Sequence, residues 1–157
     1  MVDTADVDAI WGLTDRQRKL TDTATQIARE EIAPAAAELD RNHEFPYSLL
    51  ATLGEHGLLG VPYSTELGGG GGNTLAYAMV VEALGCADQS VALSVAAHTS
   101  LGTYPIWKFG SDDQKETWLP DLCSGRRLAS FGIRACVRLG ESPAMSGRAP
   151  DSMATAG

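Results

Sequence analysis

His98, the run Gly68 to Gly72 and three cysteines are the residues here with the clearest capacity for chemistry. A histidine acting as a general base needs a group that orients its ring. His98 stands among Ala96, Ala97 and Thr99 with no Asp or Glu beside it in sequence. His43 and His56 lie too far apart to share one helix face as metal ligands. The glycine run invites a phosphate cradle, but no Lys-Ser/Thr closes it and no strand leads into it, so a nucleotide fingerprint fails. Glycines in such a loop serve unusual backbone angles and close approach. Cys86, Cys123 and Cys136 show no metal-ligand spacing, and an odd number argues against a disulfide framework. Reduced thiols in a cytoplasmic protein follow. The acid pairs Glu30/Glu31 and Asp112/Asp113 read as solvated faces near helix ends. No catalytic residue and no metal ligand is assigned on these grounds.

The elements that would position these groups are helical. Residues 1–12 read as a flexible leader without the basic and apolar regions of a signal peptide. In "LTDRQRKLTDTATQIAREEIAPAAAELD", Leu13, Leu20, Ala24, Ile27, Ala28 and Leu39 recur near helical spacing, and Thr14 is a candidate N-cap. Pro34 should kink or divide this helix, since it has no amide to donate. Pro46 suits the first position of a second, short helix in "YSLLATLGEHGLLG". After the loop "VPYSTELGGGGGN", a third helix is predicted in "TLAYAMVVEALGCAD" and a fourth in "QSVALSVAAHTSLGTYPIWKFG". The fifth, "SDDQKETWLPDLCSG", has Ser111 as N-cap and acids in its first turn, with Pro120 expected to end or bend it. "RRLASFGI" reads as the start of a β-strand. The fold class is all-α: a helical bundle over 13–127, the start of a strand at 128–133 and an irregular tail at 134–157.

The fourth helix is the most informative element. It carries no charge up to Lys108 and is rich in small residues: Ala92, Ser94, Ala96, Ala97, Ser100 and Gly102. Small residues permit close packing in a bundle, which composition alone favours. They also leave room for an elongated apolar ligand lying along the helix. Its hydroxyls, His98 and Pro105 make it a poor membrane span. The formal charge of -8 disfavours nucleic acid and anionic membranes as partners. The excess is carried by residues 1–132, with 18 acids against 9 bases.

Three stretches together resemble the N-terminal part of the acyl-CoA dehydrogenase family. They are "ELDRNHEFPYSLLATLGEHGLLGVPYSTELGGGG", "MVVEALGCADQSVALSVAAHTSLGTYPIWKFGSDDQKETWLPDLCSG" and "RRLASFGI", in the family's order and spacing over about 13–133. The resemblance implies a helical N-terminal domain, followed in the family by a β-domain and a C-terminal bundle. It implies FAD as cofactor, an acyl-CoA substrate oxidised to 2,3-enoyl-CoA, and homo-oligomers of the full-length protein. In that chemistry a glutamate takes the α-proton while the β-hydrogen leaves as hydride to the flavin. Carried over by position, Leu93, Ser94, Ala97, His98 and Leu101 match the wall of the acyl cavity. Phe131 and Ile133 match the strand whose backbone approaches the flavin.

Beyond residue 133 the likeness stops. The family continues with Thr-Glu-Pro and then Gly-Ser-Asp, where this chain reads "IRACVRLGESP". Moving the reading frame back by one base turns codons for 143–157 into a string similar to the family's β-domain. A frameshift near residue 133 is therefore expected, the alternative being a genuine flexible tail. The resemblance implies that this chain alone is inactive, because the catalytic glutamate and most of the FAD site lie in the other domains. A second reading is a non-catalytic helical module that docks on a partner chain or acyl ligand through exposed apolar surface.

Overall fold

A computed structural model describes residues 12–132. The leader, Ile133 and the tail, with the frameshift expectation attached to it, lie outside those residues except for Gly12. The described residues form seven α-helices: α1 (Asp15–Ile27), α2 (Ala33–Asn42), α3 (Tyr47–Glu55), α4 (Thr74–Gly85), α5 (Gln89–Ala96), α6 (Tyr104–Phe109) and α7 (Asp112–Cys123).

Thr14 caps α1 as expected, within a capping box. The Gln17 amide donates to Thr14 Oγ1 at 3.3 Å, and the Thr14 amide donates to Gln17 Oε1 at 2.8 Å. Gln17, Leu20, Ala24 and Ile27 form the buried stripe, three to four residues apart. Pro34 does not divide the helix. A π-helical stretch, Ala28–Ile32, joins α1 to α2, and the Ala33 amide donates to Ala28 O, five residues back. The wider turn absorbs the place where proline cannot donate. His43 ends α2 in the left-handed conformation, φ 56°. Pro46 stands one residue outside α3, as its N-cap.

The core lies where α1, α4 and α5 pack together over the 3₁₀ turn Leu58–Gly60. Leu53, Leu58, Leu59, Val61, Val80, Leu84 and Val91 are completely shielded from solvent. Asn73 and Asp88 cap α4 and α5 with their side-chain oxygens. Ser111 caps α7 through a second capping box with Gln114. Pro120 sits inside α7, which continues to Cys123 rather than stopping there. The expected strand is absent among the described residues. A strand needs a paired ladder, and Ala129 instead gives its amide to the ring of His98.

The glycine run is structural. The amides of Gly69, Gly70, Gly71 and Gly72 donate to Ser64, Gly60, Tyr63 and Val61 carbonyls at 2.8–2.9 Å, so none is left for an anion. A Cβ on Gly69 would meet Tyr63 O at 2.5 Å. Gly69→Ala is expected to lower the urea-unfolding free energy by about 1–3 kcal/mol. Gly132→Ala, where a Cβ meets nothing within 4 Å, should leave it within about 0.5 kcal/mol.

Candidate functional site

The fourth helix predicted, over 89–110 and uncharged up to Lys108, is one continuous rod with an unexpected middle. Between α5 and α6 lies a seven-residue π-helical stretch, Ala97–Thr103. It stands immediately ahead of Pro105, as the first such stretch stands ahead of Pro34. The Tyr104 amide donates to Thr99 O, again five residues back. A backbone carbonyl has two lone pairs, so the carbonyls of a widened turn can accept second bonds beside those from their amides. Here hydroxyls supply them. Thr103 Oγ1 donates to His98 O at 2.8 Å, Tyr63 Oη to Thr99 O at 2.6 Å, and Ser100 Oγ to Ala96 O at 2.6 Å. Tyr77 Oη reaches the same Ala96 carbonyl at 3.2 Å. Thr99 Oγ1 in turn donates to Leu59 O at 2.9 Å. Tyr63 and Thr99 thus stitch the rod to the turn at 58–63 in both directions.

This stitching gives the rod two faces. Outward stand Leu93, 67% exposed, and Leu101, 52% exposed, with Ser94 and Ala97 half-buried between them. They follow one another at positions i, i+1, i+4 and i+8, and none carries a charge. Ser94 returns its hydroxyl to Ser90 O, so the face offers little polarity. The rings of Tyr104 and Trp107 continue it, 5.6 Å apart, and Trp107 lies 5.8 Å from Tyr63. Composition alone favours close packing of this helix; Leu93 and Leu101 stand open, while Ala92 and Val95 of the same helix are buried.

His98 does not belong to that face. It is 2% exposed, and both ring nitrogens are occupied by backbone. Nε2 lies 3.1 Å from Leu122 O, and the Ala129 amide donates to Nδ1 at 2.9 Å. A carbonyl can only accept and an amide can only donate, so the ring is neutral with its proton on Nε2. Burial holds its pKa below the ordinary histidine value, against the opposing pull of those two backbone bonds. The resemblance carried His98 over by sequence position.

The groups beneath the face are neutral as well. Burial raises the Tyr63 phenol far above its ordinary value, with Cys123, Tyr77 and Tyr104 adding to the effect. Burial also raises Tyr77, opposed by the Ser100 hydroxyl, and pushes the Cys123 thiol up to about 11. The site can therefore shape and desolvate an apolar ligand, but it holds no carboxylate to move a proton. Among the described residues no cluster of His, Cys, Asp or Glu could hold a metal, and no helix is long and apolar enough to cross a membrane. A separate depression of about 710 Å³ is lined by Arg16, His56, Gly69 and Arg126 and includes none of the predicted site residues.

Phe131 is 59% exposed and lies two residues beyond Ala129. Ile133 lies outside the described residues. The network of Tyr63, Thr99 and Thr103 was missed in the sequence. Its one available signal was the set of hydroxyl residues just ahead of a mid-helix proline.

Residues 14–126 match the family described as acyl-CoA dehydrogenase, N-terminal domain. The chain is 44% identical over 121 residues to a probable acyl-CoA dehydrogenase, YngJ, of Bacillus subtilis, covering 77% of this chain and 32% of that protein. It is 37% identical over 123 residues to the human mitochondrial short-chain specific acyl-CoA dehydrogenase, covering 77% and 29%. Among solved structures, butyryl-CoA dehydrogenase from Megasphaera elsdenii superposes with a TM-score of 0.69 at 34% identity, covering 74% of this chain and 31% of that one. Glutaryl-CoA dehydrogenase from Mycobacterium smegmatis gives 0.70 at 34% identity, covering 80% and 32%. The chain spans about a third of the length of these relatives.

Two measurements check the interior. Tyr63→Phe removes the bond to Thr99 O and should cost about 1 kcal/mol in urea unfolding. In a Cys136→Ser background, a thiol reagent at pH 8 should label exposed Cys86 rapidly. Buried Cys123 should react only at the rate at which the protein opens.

Proposed function

Because the chain belongs to the acyl-CoA dehydrogenase family through that family's N-terminal domain, we propose that it supplies one wall of the acyl-CoA site of a flavin-dependent dehydrogenase. The observation that carries this reading is the uncovered, uncharged face of Leu93, Ser94, Ala97 and Leu101 on a rod whose other side is fully bonded. An acyl chain laid along that face exchanges water for apolar surface, at roughly 25 cal/mol per Å² buried. Ala97 leaves room for it at the centre, and Leu93 and Leu101 flank it.

The reaction in which this wall serves is removal of two hydrogens from an acyl-CoA thioester, giving the 2,3-enoyl thioester. FAD, when bound, accepts the β-hydrogen as hydride. The work of this chain's residues is to align the acyl chain and exclude water from it. Phe131 flanks the flavin edge. The base that takes the α-proton is supplied from outside residues 12–132, whose rod face bears no carboxylate. The exposed Cys86 thiol fits a reducing, cytoplasmic compartment. The exposed ring of Phe109 supports association through apolar surface, in keeping with a homo-oligomer.

A chimera tests this reading: residues 14–126 replace the matching segment of the Bacillus relative that is 44% identical. It should oxidise acyl-CoA with an electron-accepting dye, and Ala97→Trp should lower kcat/KM about 10-fold or more for the longest accepted chain. The shortest substrate should be affected least. The 157-residue chain with added FAD should reduce no dye. An inactive chimera, combined with acyl-CoA binding by the isolated chain, would turn the assignment toward a non-catalytic binding module.

A further inference from the structure

We infer that His98 is a positioning residue: its neutral ring latches the 128–132 segment to the helical body, and taking up a proton releases it. The inference rests on the function proposed above only in its last step, the placement of Phe131 beside the flavin.

The latch is a two-ended tie. Nε2 donates to Leu122 O near the end of α7, and Nδ1 accepts from Ala129 across the turn that leaves it. One side chain therefore joins the π stretch, the end of α7 and the segment that follows. Ala129 also packs against the α-carbon of Gly102, where any side chain would collide with it. Residue 129 is thus held both by its amide and by its contact. Phe131 lies two residues beyond, and its course is set by this anchor.

A proton on Nδ1 turns that nitrogen from acceptor to donor, facing an amide that also donates. The Ala129 bond cannot survive it, whereas the Nε2 bond to Leu122 O can. The titratable and charged groups on the surrounding elements do little to favour the charged ring. On α7 and its following turn these are Asp112, Asp113, Lys115, Glu116, Asp121, Cys123, Arg126 and Arg127; on the 58–63 turn, Tyr63; on the rod and its N-cap, Asp88, Tyr104 and Lys108. Asp121 is engaged by both Arg126 and Arg127. Tyr63 and Cys123 are held neutral by burial, and residues 128–132 carry no titratable side chain. The folded ring therefore resists protonation that the unfolded chain accepts. The latch is at full strength above the ordinary histidine value of about 6.5 and weakens as pH falls below it.

Glutamine provides the discriminating variant. Its amide offers one donor and one acceptor about as far apart as the two ring nitrogens, and it does not titrate. On the 157-residue chain, the Ala129 amide should be protected from hydrogen exchange at pH 8. After correction for intrinsic rate, that protection should fall at least about tenfold by pH 5. His98→Gln should keep the protection at both values. His98→Ala should lose it at both while the Leu84 amide in the core stays protected. Equal protection of Ala129 in wild type and His98→Ala would overturn the latch. So would an unchanged pH response in His98→Gln, which decides the matter even if His98→Ala fails to fold.

The last step is read in a chimera carrying residues 14–132, from its flavin absorbance. Wild type and His98→Gln should share one band shape and His98→Ala should shift it, while three superimposed spectra would overturn the placement of Phe131. A wild-type chimera that binds no flavin would sink the proposed function, and the exchange data would still judge the latch.

Discussion

A backbone carbonyl can accept two bonds, and the second bonds made to the carbonyls of one widened helical stretch tie this fold together. Ahead of Pro34 and again ahead of Pro105 the chain widens into π-helical turns. At the second site the carbonyls of Ala96, His98 and Thr99 are taken up by hydroxyls from Ser100, Tyr77, Thr103 and Tyr63. Because Tyr63 comes from the turn at 58–63, its bond to the rod also fixes that turn. The turn in turn receives the amides of the glycine run. Bonds made at one local stretch thereby give long-range order.

The same arrangement separates what is buried from what is open. Polar work on the rod, by His98, Thr99 and Thr103, is confined to its inner side. The outer side keeps Leu93, Ala97 and Leu101 free of partners from their own domain. The groups below it, Tyr63, Cys123 and His98, are all held neutral by burial. An apolar wall over an uncharged interior suits a fatty chain and offers no proton to the chemistry. The relatives that the chain matches are about three times as long as the matched segment.

The sequence by itself determined the helical class and the caps at Thr14 and Ser111. These depend on local periodicity and on hydroxyls placed just before helical runs, both of which are written along the chain. The structural role of the glycine run was also legible, from the missing Lys-Ser/Thr. Tertiary structure alone decided the rest. The bonds that tie the second π stretch to the body span 36 to 40 residues: Tyr63 donates to Thr99 O, and Thr99 donates to Leu59 O. His98 turns inward to partners, Leu122 and Ala129, that lie 24 and 31 residues downstream. The strand expected at 128 is missing for the same reason: propensity can favour an extended backbone, but only a partner in space makes it a strand, and at Ala129 that partner is an imidazole.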